Sequence, residues 1–323
     1  MTARGRGLVR VLVRVGVAVT ERTSGALLVL VALATLVFLA LRILPGDPAA
    51  LVLGDQAPEA ARAAIRARLG LDRPLPQQYL RFLAGLCTFD LGDSLTRPGV
   101  GAFDEVARSL GPTAALAATA VGGGAVLGIG AGVLSVGPWL GARREWAHRA
   151  ILVVAASPLL AFAPLVTFLF AVKWRLVPLP GDPESGLPGL GFAAGLLALP
   201  LAAQVGRITR AALLGFGHAR FLDVAAAKGG SPARVWFVHA LPVASAPIAV
   251  VIATQLGALL GGAVVLERLF ERPGLGTLML NAYAARDLPV LEASVVAAGL
   301  LFVLAQAAAG AVQGLVDPRG RVG

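Results

Sequence analysis

An all-α integral-membrane fold with about six transmembrane helices is what this sequence predicts, and three observations predict it. Of the 323 residues, 57% are hydrophobic and only 14% charged, with a mean hydropathy of +0.80. Soluble domains carry about 25% charged residues. The apolar residues fall in blocks of roughly 20, the length of helix that crosses a bilayer. None of the blocks alternates apolar with polar as a half-buried strand does. A backbone in lipid must also satisfy its own hydrogen bonds, which a single helix achieves alone.

Taken in order, the blocks run over about Ser24–Leu44, Pro112–Gly137, Ala150–Val172, Leu187–Gly206, Leu241–Leu266 and Pro289–Leu315. The chain thus divides into a basic N-terminal segment (1–23), a transmembrane domain (24–316) and a tail (317–323). Within the domain lie a long loop (45–111) and a shorter one (207–240). The single cysteine, Cys87, allows no internal disulfide and no cysteine metal site.

Charge placement orients the spans. The segments on the N-terminal side of the membrane hold 15 Arg and Lys against four acids, a net of +11. The opposite side holds 13 basic and 14 acidic residues, a net of −1. Basic residues in short loops stay cytoplasmic, so the prediction is N-in and C-in. The formal charge of +10 is mostly topology, which argues against nucleic acid as a partner.

The first span is preceded by Arg6, Arg10 and Arg14, which share one face of a helix. They either lie on the anionic inner leaflet or simply enforce orientation. The apolar run that follows is too long for a signal h-region and ends in Leu44-Pro45-Gly46-Asp47, with no small-residue cleavage site. In the long loop, Ala57–Leu69 has helix-forming composition and Leu71-Asp72-Arg73-Pro74 reads as a turn.

The span centres contain no Asp, Glu, Lys or Arg; Arg42 and Glu292 fall near span ends. Mid-membrane ionisable groups mark proton relays and ion pathways. Without them, energy for uphill transport must come from elsewhere. Gly124, Gly128 and Gly132, and Gly257 and Gly261, recur every four residues, a spacing that lets helices approach closely. Pro158, Pro164, Pro200 and Pro247 permit bends. Gln204, Gln255 and Gln306 either line a pathway or hydrogen-bond between helices.

The segment between spans four and five predicts two helices with a sharp turn. Asp223–Lys228 is alanine-rich. Lys228 and Gly229 suit a helix C-terminus and its left-handed cap. Ser231 suits an N-cap with Pro232 in the first helical position. The second helix is expected to end near Ala240, with Pro242 marking re-entry to the membrane.

These residues resemble the signature of ABC-importer permeases: Glu-Ala-Ala, three residues, Gly, nine residues, Ile, one residue, Leu-Pro. Here the positions are Asp223, Val224, Ala225, then Gly229, His239 and Leu241-Pro242. Asp replaces Glu, Val replaces the first Ala, and His replaces Ile. Further stretches resemble the oligopeptide/dipeptide/nickel branch, B-type subunit. They are Leu44-Pro45-Gly46-Asp47-Pro48, Leu71–Pro76 with Gln78-Tyr79, and Asp90–Leu95. Glu267–Phe270 with Pro273-Gly274-Leu275-Gly276, Arg286–Pro289 and Asp317-Pro318-Arg319 follow.

The resemblance implies a type I ABC importer permease fold in a bacterial inner membrane. It implies a second homologous permease, two cytoplasmic ATPase subunits and an extracytoplasmic binding protein as partners. The cargo would be di- or oligopeptides, or alternatively nickel or another small solute. ATP and Mg would bind the ATPases, consistent with the lack of any phosphate-loop motif here. Asp223, Ala225, Ala226, Gly229, Ser231, Arg234, His239, Leu241 and Pro242 would form the ATPase-docking loop. Pro273, Gly274, Gly276, Arg286 and Asp287 would face outside, within reach of the binding protein. Thr277–Ala285 is expected to form a short helix there.

Catalytic and metal constellations are not legible. His148, His218 and His239 lack ligand spacing. A secondary transporter would need mid-span charges and internal symmetry. A membrane enzyme would need His, Asp and Glu gathered at one face. A non-transport assembly subunit remains open from sequence alone.

Overall fold

The computed structural model of the chain describes residues 24–43, 58–182, 184–216 and 219–316. The basic segment with Arg6, Arg10 and Arg14, the Leu44–Pro48 motif, His218 and the Asp317-Pro318-Arg319 tail lie outside the described residues.

Eleven helices make up nearly all of the described chain. They are α1 (Ser24–Ile43), α2 (Glu59–Leu69), α3 (Leu75–Thr88), α4 (Ala102–Leu134), α5 (Arg144–Ala156) and α6 (Leu159–Thr167, continued by a wide turn Phe168–Lys173). Then come α7 (Gly186–Gly215), α8 (Arg220–Ala227), α9 (Pro232–Leu269), α10 (Leu275–Ala284) and α11 (Leu288–Val316). A short 3₁₀ stretch, Pro138–Arg143, precedes α5. Among the described residues the only β pairing is one bridge, Asp93 to Gly101.

Five helices, α1, α4, α7, α9 and α11, are long and apolar enough to cross a membrane. The third expected span is not one rod. It is the pair α5 and α6, bent by 111° at Ser157-Pro158. The cause is local: a residue before proline is pushed out of the helical region, and Ser157 has ψ 118°. Pro112, Pro164, Pro200 and Pro247 do not end their helices; all four lie inside them.

A second departure concerns Pro242. The sequence places a helix end near Ala240, but α9 runs unbroken from Pro232 to Leu269. Proline lacks an amide donor and crowds the carbonyl four residues back. The six residues Val235–Ala240 widen into π-type turns, which absorb that conflict without ending the helix. One rigid element therefore joins the loop to the fifth span.

The chain divides into two compact units, Met1–Arg108 with Leu278–Val303, and Ser109–Thr277 with Leu304–Gly323. In the first, Ala34 and Phe38 of α1 pack on Phe82 of α3, with Tyr79, Leu83, Leu86, Leu91 and Val296 around them. Helix α3 was not read from the sequence. It buries Phe82 and joins its hydroxyl at Tyr79 to Thr35 at 2.6 Å. The guanidinium of Arg42 lies 3.8 Å from the centre of the Phe38 ring and pairs with Glu292 at 2.5 Å. Gln78 accepts from Arg42 and donates to the carbonyls of Leu71 and Arg73, which fixes the Leu71–Pro74 turn.

The second unit is built on close helix contacts. The Gly124, Gly128 and Gly132 ladder of α4 faces Ala198, Ala202 and Gly206 of α7. A Cβ at Gly128 would fall 2.6 Å from the Ala202 carbonyl, and one at Gly132 2.5 Å from Thr209. The spacing-by-four reading holds here. On α9, Gly257 is buried, but the close approach expected at Gly261 falls on the next residue. Space around Gly261 is open, whereas a Cβ at Gly262 would reach 2.9 Å from Leu197 of α7.

Candidate functional site

Helices α8 and α9 form a hairpin that closes at Lys228–Ser231. The chain leaves α8 through Gly229, whose φ of +81° is a conformation that glycine adopts freely. The amides of Gly229 and Gly230 return to the carbonyls of Ala226 and Ala225 at 3.0 and 3.2 Å. Gly230 is needed for space: a Cβ there would meet the Ala225 carbonyl at 2.7 Å. Ser231 then caps α9, its Oγ accepting from the Arg234 amide at 3.3 Å, with Pro232 in the first turn.

The hairpin has two faces. Leu222 and Val235 are buried in the core of the second unit, with Ala225, Trp236 and Leu241 packed against it. The opposite face carries Phe221, Val224, Phe237 and Val238, between 41% and 57% exposed. Asp223, Ala226, Gly229, Ser231, Arg234, His239 and Pro242 are exposed as well, and Ala225 and Leu241 are half-buried. The Trp139 ring, from the turn before α5, stands 5.9 Å from that of Phe237.

The exposed apolar residues are the part of this site that sequence reading missed. A signal was present. Phe221 and Val224 share one face of α8, while Leu222 and Ala225 share another. A short helix with two apolar stripes cannot bury both in one core.

In the same unit, the turn after α9 is organised by Glu267, which is 1% exposed. Its carboxylate accepts from Thr113 Oγ1 at 2.6 Å and from the amides of Gly276 and Thr277 at 2.8 and 3.3 Å. Those amides open α10, so Glu267 caps that helix from a distance. Thr113 in turn accepts from the Leu275 amide at 2.8 Å. A Cβ at Gly274 would sit 2.2 Å from the Glu267 carboxyl carbon, and one at Gly276 2.5 Å from the Val264 backbone. Gly274 and Gly276 are therefore interior packing positions; Pro273 is exposed. The helix expected over Thr277–Ala285 is α10, begun two residues earlier.

In the first unit, Asp287 is 2% exposed. It accepts from Ser94 Oγ at 2.5 Å and from Thr96 through Oγ1 and the amide at 3.0 and 3.2 Å. This bond set ties the Asp90–Leu95 motif to the start of α11. Arg286 remains half-exposed over the Tyr283 ring.

Gln204 and Gln306 are exposed and Gln255 is half-buried, and none of the three side chains hydrogen-bonds among the described residues. The alternative in which they bond between helices of this chain finds no contact there. Among the described residues, no three His, Cys, Asp or Glu gather as metal ligands.

Two family profiles match the chain. One, described as binding-protein-dependent transport system inner membrane component, covers residues 124–322. The other, the N-terminal part of a binding-protein-dependent transport system membrane component, covers residues 16–100. The glutathione transport system permease protein GsiC of Escherichia coli strain K12 is 31% identical over 309 residues, 93% of this chain and 97% of that protein. GsiC of Pectobacterium atrosepticum is 33% identical over 293 residues, 88% and 92% of the two chains. A probable peptide ABC transporter permease protein, y4tP of Sinorhizobium fredii, is 31% identical over 316 residues, 95% and 99%.

Proposed function

Because this chain belongs to the family of binding-protein-dependent transport system inner membrane components, we propose that it is the permease subunit of an ATP-driven importer whose α8–α9 hairpin docks on a separate ATPase. The observation that carries the reading is the hairpin's divided surface. Leu222 and Val235 lock one face to the bundle, and Phe221, Val224, Phe237 and Val238 leave the other face apolar and uncovered. An apolar patch of this kind marks a contact with a partner. Force applied there enters the fifth span directly, since α9 is one helix from Pro232 to Leu269.

The proposed assembly contains a second homologous permease, two ATPase subunits that bind ATP and Mg, and an extracytoplasmic binding protein. The chain is placed N-in and C-in, with the hairpin cytoplasmic, from the distribution of arginine. Candidate contacts with the binding protein are Pro273 in the second unit, held from within by Gly274 and Gly276, and, separately, Arg286 in the first, next to the buried Asp287. Gln204, Gln255 and Gln306 carry amides that need water or a neighbouring subunit at membrane depth. They are assigned to the pathway or the permease–permease contact.

Peptides are the proposed cargo, by analogy with the relatives named for glutathione and peptide transport. Uptake by the reconstituted complex, with labelled di- and oligopeptides and nickel in parallel, decides the cargo. Docking is tested at Gly229. Its Cβ position is open, so substitution costs only backbone strain, about 1–2 kcal/mol for a β-branched residue. Gly229→Val is expected to lose ATP-driven uptake and ATPase co-purification while inserting normally; Gly229→Asn, which tolerates the left-handed conformation, is expected to retain both. Normal uptake by Gly229→Val would remove the hairpin from the mechanism.

A further inference from the structure

Helix α5 opens on Arg144-Glu145-Trp146-Ala147-His148-Arg149 and is apolar from Ala150 to Ala156. Arg143, Arg144, Trp146 and Arg149 are all exposed, Trp146 by 69%. The Arg149 guanidinium lies over the Trp146 ring, 5.4 Å from its centre. The single acid of the stretch is diverted. Glu145 faces Arg210 at 3.6 Å, and Arg210 is itself anchored on the Ser135 carbonyl. Arg143, Arg144 and Arg149 make no ion pair among the described residues. Three uncompensated cations therefore share one end of a short helix.

The rest of the helix supplies the second observation. Leu152 and Val153 are 44% and 65% exposed. They lie about 5 Å along the axis from Arg149. A basic, aromatic turn passes to an exposed aliphatic turn over that distance. This is the polarity step of a membrane interface, where tryptophan sits at headgroup depth. Arginine forks match phosphodiester oxygens and are more weakly hydrated than ammonium groups.

We propose that Arg143, Arg144 and Arg149, with Trp146 as their aromatic anchor, form a binding site for the phosphate headgroup of an anionic phospholipid. The lipid's acyl chains run along Leu152 and Val153. The site requires that the chain spans a membrane, and it is independent of ATPase docking at the hairpin. Each arginine at an anionic surface contributes about five-fold in affinity.

The test uses the full chain with Trp139→Phe, Trp174→Phe and Trp236→Phe, which leaves Trp146 as its one tryptophan. The protein is placed in bilayers containing phosphatidylcholine or phosphatidylglycerol with brominated acyl chains, and quenching of Trp146 is recorded. Brominated phosphatidylglycerol is expected to be preferred by about five-fold or more. The preference should fall close to unity in R143Q/R144Q/R149Q and only in part in R143K/R144K/R149K, which keeps the charges and loses the forks. Equal quenching by the two lipids in the starting chain overturns the proposal. So does a preference that persists in the triple glutamine variant. Hairpin substitutions leave the lipid preference untouched, so the two readings fail separately.

Discussion

Replacing Glu267 separates charge from hydrogen-bond geometry in the turn that starts α10. In Glu267→Ala, Thr113 keeps an outlet, since the Ser109 carbonyl is already 3.3 Å from its hydroxyl. The amides of Gly276 and Thr277 lose their acceptor and gain none. At about 1–3 kcal/mol for each orphaned donor, the loss is about 2–4 kcal/mol, because Thr277 is only half-buried. Glu267→Gln behaves differently. Its one oxygen can face the two amides while its NH₂ donates to Thr113 Oγ1, so its cost is expected below about 1 kcal/mol. Gly274→Ala drives a methyl into the carboxylate, whose atoms lie 2.2–2.4 Å from the Cβ position. It should cost about as much as Glu267→Ala, and much less in the Glu267→Ala background, with a coupling of at least about 1 kcal/mol. Unfolding of the purified chain in detergent, followed by intrinsic fluorescence, measures all four variants. Additive losses for Gly274→Ala and Glu267→Ala would refute the account of this turn, as would equal losses for the Ala and Gln variants.

Two more outcomes follow from the packing. Gly128→Val places its Cβ 2.6 Å from the Ala202 carbonyl, so α4 and α7 must part; it is expected to lose about 1–3 kcal/mol in the same assay, while Gly122→Val, in open space, loses far less. Arg42→Ala strands Glu292 at a side-chain exposure of 8% and should cost about 3–5 kcal/mol; Arg42→Met with Glu292→Leu should recover most of it, as measured by thermal unfolding.

The spans were legible because hydropathy over 20 residues is a strong, local signal. Helix α3 was not, because Tyr79 and Phe82 declare themselves apolar-facing only once α1 supplies Thr35 and Phe38 to meet them. The hairpin's cap residues, Gly229, Ser231 and Pro232, were legible because each acts on its own backbone neighbours. Pro242 misled for the same reason: proline states a local preference, and the widening of Val235–Ala240 that overrides it is a property of the whole helix. The burial of Glu267 and Asp287 was not legible. Their partners, Thr113 for one and Ser94 and Thr96 for the other, are more than 150 residues away, so only the folded chain reveals their burial.

Site-directed cross-linking tests the docking of this permease most directly. With Cys87→Ser as background, Val238→Cys carries a thiol on the uncovered face of the hairpin, and Trp174→Cys carries one beyond α6; the native residues are 57% and 52% exposed. The account predicts a cross-link from position 238 to an ATPase subunit, altered by ATP, and none from position 174. A cross-link from 174 with none from 238 would contradict both the orientation and the role of the hairpin.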